Sequence, residues 1–546
     1  MTPEELSLVI YAALKQLAAD GKLKVDLPET VRVERPKNRD HGDWATNIAM
    51  QLGKRAGMAP RDFAQLLVDQ LGDTDGIASM DIAGPGFINF TLDTAAAAEL
   101  VRTIVQAGAS YGHNQQMAGQ RINLEFVSAN PTGPLHIGHT RWAALGDAIG
   151  RVMKASGADV VREYYINDAG SQMNTFAQSI YNQLHGLPVQ EGGYPGAYIK
   201  ELGEQIALDH PDVRTLTEAA ATPVLRNEGY KLQLKDIQDT LEAFDVHFDV
   251  WFSESALHSG GAVEDAIARL REQGHVFDED GAVWLRTTDF GDDKDRVLVR
   301  SNGEPTYFAA DAAYYLSKKD RGFARKVYLL GADHHGYVNR LRAIAACAGD
   351  DMNTNIEVLI GQLISVAGAK LSKRAGNIIE LKDLIQWLGA DALRYSLARY
   401  PADSPISIDP ELLKSNTNDN PVFYVQYAHA RSRQAARNAA AAGITMDSFD
   451  AASLNHPAEE ELIATLARFP QVVGSAAETM EPHRVARYIE ELAAAYHSWY
   501  GACRITPRAE EELTITHHSR LWLNEATSRV LANGLQLLGV NAPERM

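Results

Sequence analysis

Residues Glu125 to Arg141 read EFVSANPTGPLHIGHTR. Just upstream, Ile122 to Phe126 is a short strand-like run; Pro131, Gly133 and Pro134 then mark a loop, and a helix is predicted from about Gly138 to Lys154. Strand, loop and helix in that order open a nucleotide-binding α/β unit. His136 and His139 flank Ile137 and Gly138 where loop becomes helix. A helix N-terminus offers free N–H groups and the positive end of a dipole, so phosphate is the expected guest. Glycine at 138 lets a nucleotide approach the backbone, and two imidazoles three apart can donate hydrogen bonds to phosphate oxygens as charge builds in a transition state. Taken alone, the pair equally describes two surface histidines capping a helix. Zinc binding is disfavoured because no neighbouring Cys or carboxylate completes a ligand set.

Outward from this stretch, strands are predicted at Val160 to Tyr165 and Val327 to Leu330 with helices between, which implies a mostly parallel sheet. The loop Glu191 to Gly196 and the strand-like pieces Ala282 to Thr287 and Arg296 to Arg300 read as insertions into that sheet. Upstream, Thr2 and Glu5 form a capping box with Pro3 at the first helical position, and Leu6, Val9, Ile10, Ala13, Leu14 and Leu17 recur at helical spacing. Gly84 to Leu92 reads as a turn into the alternating strand Phe87, Asn89, Thr91. After about Tyr400 the pattern is helical almost throughout. The expected domains are 1–110, an α+β N-terminal unit; 111–400, a Rossmann-like α/β unit with insertions; and 401–546, an all-helical unit.

Apolar residues at 45% and charged residues at 23% are ordinary globular values, which exclude a disordered chain. Cys347 and Cys503 are far apart, so neither a disulfide framework nor a cysteine-rich zinc cluster is available, and a reducing cytoplasm is the expected compartment. Glu4 and Glu5 stand where a secretory signal carries positive charge, and no apolar run approaches the ~20 residues of a membrane helix. A net charge of −19 argues against coating nucleic acid through bulk charge. It leaves room for a local basic groove, because screening over ~8 Å isolates one patch from distant acidic surface.

A second basic element, Lys370 to Arg374 (KLSKR), lies in Val366 to Asn377 with glycines at 368 and 376. Two lysines three apart in a loop can swing onto a polyphosphate and neutralise a departing pyrophosphate. On its own this is an ordinary solvated basic loop. Together and in this order, the two elements resemble the HIGH and KMSKS motifs of class I aminoacyl-tRNA synthetases. REYYINDAGSQ (Arg162 to Gln172), TYFAADAAYY (Thr306 to Tyr315), GADHHGYVNRL (Gly331 to Leu341), DALRYSLA (Asp391 to Ala398), FYVQYAHAR (Phe423 to Arg431), the terminal GVNAPERM and HGDWATNIAM (His41 to Met50) narrow the resemblance to the arginyl-tRNA synthetase family. A cysteinyl enzyme's thiolate-rich zinc site is missing, and the glutaminyl and glutamyl relatives do not carry this N-terminal domain.

Selection of arginine has its own chemistry. A guanidinium is a permanent cation with five donors in a rigid fork, so it demands carboxylates and carbonyls on fixed elements. Glu125 at the strand end, with Tyr307 and Asp311 four apart on one helical face, supplies such a set, although Glu125 equally fits a buried structural carboxylate and the Tyr307 face a solvent-facing helix. The resemblance implies that Asn130 contacts the α-amino or carbonyl end of the amino acid and that His334 lies near it. It assigns catalysis to His136, His139, Lys370 and Lys373, and ATP contacts to Pro134, His136, Gly138, His139, Lys370, Ser372 and Lys373, with no resident metal. Many arginyl enzymes lack the first lysine of the loop; this chain has both, with Leu371 in place of methionine.

The implied reaction is ATP-dependent formation of arginyl-adenylate and transfer to the 2′-hydroxyl of the terminal adenosine of tRNA(Arg), with magnesium accompanying ATP. Activation that requires bound tRNA, a monomeric state and absence of an editing domain are further expectations. No lysine follows Lys414, so the third domain's cations are arginines such as Arg431, Arg433, Arg437, Arg504 and Arg508. With Tyr424, Tyr427, Tyr496, Trp499 and Tyr500 it resembles the family's anticodon-binding bundle, most of these aromatics being expected in its core. A small-molecule nucleotidyltransferase needs neither the leader nor the helical domain. A catalytically dead tRNA-binding paralogue would not keep both histidines and both lysines.

Overall fold

A computed structural model describes residues 1–36, 41–362, 364–367, 379–508 and 511–546 of the chain. Five parallel strands form the central sheet: in chain order Arg121–Glu125, Asp159–Ile166, Val250–Ser253, Arg325–Gly331 and Ile356–Gly361. In space the order is fifth, fourth, first, second, third. The chain therefore steps to one side of the first strand for the second and third, and to the other side for the fourth and fifth. The crevice at the carboxyl ends of the first and fourth strands is the switch point at which open α/β sheets bind ligands. The first strand is buried from Ile122 to Glu125, as a strand covered on both faces must be.

The helix after the first strand runs Ile137–Ala155, slightly longer than its sequence pattern predicts, and lies against the sheet. Two glycines permit that approach. A Cβ on Gly146 would lie 2.4 Å from the Phe126 ring, and one on Gly361 would lie 1.5 Å from the Trp142 indole. Between the second and third strands are the helices Gln172–Leu184, Ala197–Asp209 and Glu218–Ala243, joined around their own core of Met173, Phe176, Ile180, Ile199 and Leu225. The expected strand pieces at 282–287 and 296–300 do form, but as a separate antiparallel sheet of Val276–Glu279, Ala282–Leu285 and Arg296–Val299. Most of their residues are only half-buried, which suits a sheet covered on one face and not the doubly covered parallel one.

At the N-terminus, Thr2 caps the helix Pro3–Ala19: its Oγ1 accepts the Glu5 N–H at 3.1 Å and Glu5 accepts the Thr2 N–H at 2.8 Å. A three-stranded antiparallel sheet of Trp44–Thr46, Phe87–Leu92 and Ile77–Ala83 packs with it. The C-terminal part is a bundle of Pro421–Ala441, Pro457–Ala467, Phe469–Glu478, His483–Ala502 and Ile515–Leu537. One short strand, Ile406–Ile408, departs from the helical pattern expected after Tyr400; it pairs in parallel with Ile364–Val366. The N-terminal unit rests on the bundle: Arg35 pairs with Glu461 at 2.8 Å, and the Gln471 side-chain amide donates to the Val33 carbonyl at 2.8 Å. Among the described residues, no helix is long and apolar enough to cross a membrane.

Candidate active site

His136 is the N-cap of the helix Ile137–Ala155, with extended backbone. Its Nδ1 accepts the Gly138 N–H at 3.1 Å, and Nδ1 of His139 accepts the His136 N–H at 3.3 Å. A neutral imidazole whose Nδ1 accepts a hydrogen bond carries its proton on Nε2. Burial lowers the His136 pKa, and burial together with the neighbouring His136 pushes His139 down to about 4. Each ring therefore offers an uncharged Nε2–H donor at neutral pH. The two ring centroids are 4.0 Å apart. Gly138 has a second reason to be glycine: a Cβ there would sit 2.9 Å from Cε1 of His136.

Lys370, Ser372 and Lys373 lie outside the described residues. The flanks of their segment are anchored at the histidine turn. The Ile137 N–H donates to the Ile379 carbonyl at 2.9 Å and the Leu381 N–H to the Leu135 carbonyl at 2.8 Å, on either side of half-buried His136 and just past half-buried Pro134. On the other flank, the buried Arg141 guanidinium donates to the carbonyls of Gln362 at 3.0 Å, Ser404 at 2.7 Å and Pro401 at 2.6 Å. The segment is thus tied at both ends to the start of one helix.

Across the crevice, Asp311 projects from the helix Tyr307–Asp320 and accepts a hydrogen bond from the Tyr337 hydroxyl. Burial, opposed by that hydrogen bond and reinforced by Glu254 and Glu125, pushes its pKa up to about 7. Arg340, stacked over the Tyr337 ring, offsets this only weakly. Glu254, buried at the end of the third strand, is likewise raised, first by burial and then by Asp168 against the opposing His258. Its Oε2 makes no hydrogen bond of normal geometry among the described residues. The Tyr165 hydroxyl is raised first by burial and then by Glu254 and Asp311, so it shares their surroundings. Two neighbouring carboxylates that both resist ionisation are both relieved by one cation.

Glu125 has a different environment. Its Oε2 accepts from Lys318 Nζ at 2.6 Å and the Tyr314 hydroxyl at 2.9 Å, and its Oε1 from Ser128 Oγ at 3.2 Å. The Tyr314 hydroxyl also lies 2.6 Å from Glu163, so its one proton is shared between the two carboxylates, and Glu163 is held by Arg321 at 2.9 Å and Asn123 at 3.0 Å. Of the two roles open to Glu125 from sequence, this buried pairing matches the structural carboxylate. Beyond it, Val127 (φ 67°) and Ser128 (φ 41°) occupy the left-handed region, a strained state for a β-branched residue. Ser128 Oγ holds the turn by accepting the Tyr165 N–H at 3.1 Å. The turn delivers exposed Asn130 to the crevice.

Tyr307 opens the Asp311 helix and is 62% exposed, with its hydroxyl near Gly170 in the loop after the second strand. His334 lies exposed in the turn Ala332–Tyr337 after the fourth strand. Asn130, the histidine turn, Asp311 and His334 therefore share the carboxyl edge of the sheet. Glu254, Tyr165 and Tyr337 were not singled out by sequence reasoning; the only available signal was a carboxylate at the end of an unrecognised strand. In the bundle, Tyr496 and Trp499 are fully buried, whereas the Arg431 guanidinium lies 4.8 Å over Tyr427 and 5.3 Å over Tyr500 at the surface.

The chain matches the families described as arginyl tRNA synthetase N terminal domain over 4–92, tRNA synthetases class I (R), catalytic domain, over 100–191 and 218–395, and DALR anticodon binding domain over 425–546. It is 68% identical to an arginine–tRNA ligase of Pseudarthrobacter chlorophenolicus and 67% identical to one of Paenarthrobacter aurescens, each alignment covering 100% of both chains. Among solved structures it resembles the Thermus thermophilus arginyl-tRNA synthetase, with a TM-score of 0.78 at 24% identity over 100% of both chains. A putative arginyl-tRNA synthetase from Campylobacter jejuni matches with a TM-score of 0.74 at 28% identity, over 83% of this chain and 100% of that one.

Proposed function

The chain belongs to the arginyl-tRNA synthetases and is an arginine–tRNA ligase, and from that premise we propose how its residues divide the reaction. Arginine attacks the α-phosphate of ATP through its carboxylate, giving arginyl-adenylate and pyrophosphate, and the 2′-hydroxyl of the terminal adenosine of tRNA(Arg) then takes the arginyl group. The Nε2–H groups of His136 and His139 donate to phosphate oxygens, and their neutrality avoids the cost of burying extra charge between turnovers. Gly138 and Pro134 shape the turn against the nucleotide. Lys370 and Lys373, with Ser372, close on the departing pyrophosphate, since the flanks of their segment begin and end at the histidine turn.

The guanidinium lies between Asp311 and Glu254 with Tyr307 as a wall, while Asn130 takes the α-amino or carbonyl end and His334 stands at the rim. The observation that carries this reading is the placement of half-buried Asp311 and buried Glu254 within electrostatic reach of each other at the crevice, both raised first by burial, with His258 3.7 Å from Glu254. Glu125 acts from behind, holding the helix that bears Asp311 through Lys318 and Tyr314. Magnesium arrives on ATP: both imidazoles present N–H donors and no free lone pair, so phosphate oxygens hold the ion, which neutralises polyphosphate charge.

We assign residues 1–110 and 401–546 to tRNA binding around a catalytic unit at 111–400, and expect a monomer working in the cytoplasm. ATP–pyrophosphate exchange tests the scheme. Exchange should need arginine, ATP and tRNA(Arg) together, and His136→Ala or His139→Ala should lower its turnover by roughly 10²-fold with little change in the KM for ATP. Lys370→Ala and Lys373→Ala should each depress it as well. Robust exchange without tRNA, or a change confined to KM, contradicts the scheme.

A further inference from the structure

The turn that carries Asn130 is held more firmly than a surface loop needs. The Ser128 N–H donates to the Phe126 carbonyl at 3.0 Å and closes a three-residue turn centred on Val127, whose φ of 67° marks the rare, strained form of such a turn. Strain of this kind persists only where the surroundings over-determine the backbone. Here they do so on both sides of Asn130. The fully buried Tyr164 hydroxyl donates to the Ala129 carbonyl at 2.9 Å, and the Tyr198 hydroxyl, from the inserted helix Ala197–Asp209, donates to the Thr132 carbonyl at 2.7 Å. Between these two clamps Asn130 is exposed and Pro131 is buried. A third tie runs through Ser128, whose Oγ accepts the Tyr165 N–H at 3.1 Å and donates to Glu125 Oε1 at 3.2 Å.

Glu125 thereby joins the two ends of the arginine pocket. Its Oε2 is held at 2.6 Å by Lys318, on the helix Tyr307–Asp320 that bears Asp311, and its Oε1 by Ser128, in the turn that bears Asn130. One carboxylate therefore fixes the separation between the group proposed to read the guanidinium and the group proposed to read the α-amino or carbonyl end. Charge cannot make that measurement, because a guanidine amino acid one methylene longer presents the same cation to Asp311 and Glu254. The longer homologue is rejected only where the two ends of the pocket keep their distance, and a site that resolves one methylene discriminates by roughly 10- to 200-fold. We infer that the Ser128–Glu125 link, with the Tyr164 and Tyr198 clamps, is a ruler for side-chain length, and that Ser128, Tyr164 and Tyr198 are positioning residues that select arginine over its longer homologue. The inference rests on the arginine–tRNA ligase reading and on the roles proposed for Asn130 and Asp311, and adds to them how length is read apart from charge.

The test is charging of tRNA(Arg) with arginine, homoarginine and citrulline by wild type, Ser128→Ala, Tyr164→Phe and Tyr198→Phe, read as ratios of kcat/KM. Wild type should favour arginine over homoarginine by roughly tenfold or more. Ser128→Ala should shrink that ratio several-fold, with the loss falling on arginine, and the two tyrosine variants should shrink it in the same direction. Each variant should keep the wild-type ratio of arginine to citrulline, since the charge readers are untouched. A general loosening of the fold would instead lower all three substrates together and leave both ratios standing. Tyr198 is only half-buried, so its variant carries the test should one at the buried end of the turn fail to fold. The proposal is overturned if wild type does not discriminate against homoarginine, if the folded variants keep the wild-type ratio of arginine to homoarginine, or if the citrulline ratio falls in step with it. Failure of the underlying reading shows elsewhere, in Asn130→Ala, whose kcat/KM for arginine would then equal that of wild type.

Discussion

Burial, with Glu254 and Glu125 nearby, pushes the Asp311 carboxyl up to about 7, so near neutral pH a proton competes with arginine for it. A guanidinium favours the ionised form, so arginine must expel that proton when it binds. Affinity for arginine should therefore rise as pH increases through 7 and level off above it, since below 7 each binding event first strips the carboxyl. Calorimetric titration in buffers of different ionisation enthalpy at pH 7 should register release of a fraction of a proton by wild type and markedly less by Asp311→Asn; an equal release by both would place the linked group elsewhere. Residues differ in how far sequence exposes them. His136, Gly138 and His139 act through contacts within three positions of one another, so their arrangement is legible in the order of residues alone. Glu254, at the end of the third strand, meets Asp311 on the helix Tyr307–Asp320 only through the tertiary fold, a relation that no local pattern encodes.

The helix Tyr307–Asp320 shows how an element is made rigid enough to carry the carboxylate proposed to read arginine. Its inner face holds Tyr314 and the fully buried Lys318, which reach Glu125 and Glu163 on two neighbouring strands. Breaking such a pair strands a buried charge and costs about 3–5 kcal/mol, more than either partner contributes when both are replaced. Lys318→Met should thus lower the denaturation midpoint strongly, and Lys318→Met with Glu125→Gln should recover part of the loss; a double variant worse than the sum of the singles contradicts the pairing. The strand at 325–331 was readable because its apolar run Val327 to Leu330 suits a strand covered on both faces, and the one at 159–166 because β-branched and aromatic residues surround Arg162 and Glu163. The pieces at 282–285 and 296–299 were readable as strands, yet their membership of a separate antiparallel sheet depended on pairings that sequence periodicity does not contain.

At the scale of the whole molecule, the units are joined by buried polar ties. The fully buried Arg394 guanidinium donates to Asp147 on the histidine helix, to the Phe244 carbonyl at 2.7 Å beyond the insertion, and to the Leu538 carbonyl at 3.2 Å after the last bundle helix. A Cβ on Gly539 would fall 1.9 Å from its Nη2, so that glycine is part of the joint. Arg394→Met should lower the thermal midpoint and impair tRNA charging more than arginine binding, because the bundle loses its orientation to the catalytic sheet; an unchanged midpoint contradicts this. The DALR segment was legible as a family mark, whereas its role as a three-way tie required the fold. An arginine–tRNA ligase has to choose arginine over a neutral isostere, and the proposal above puts that choice on Asp311 and Glu254. The most direct measurement is the ratio of kcat/KM for arginine to that for citrulline in wild type, Asp311→Asn and Glu254→Gln. Each substitution keeps the shape and one carbonyl acceptor but deletes a charge, so the cation should lose transition-state binding while citrulline loses far less, and the ratio should fall by at least tenfold. A ratio unchanged in both variants would show that the guanidinium is read elsewhere.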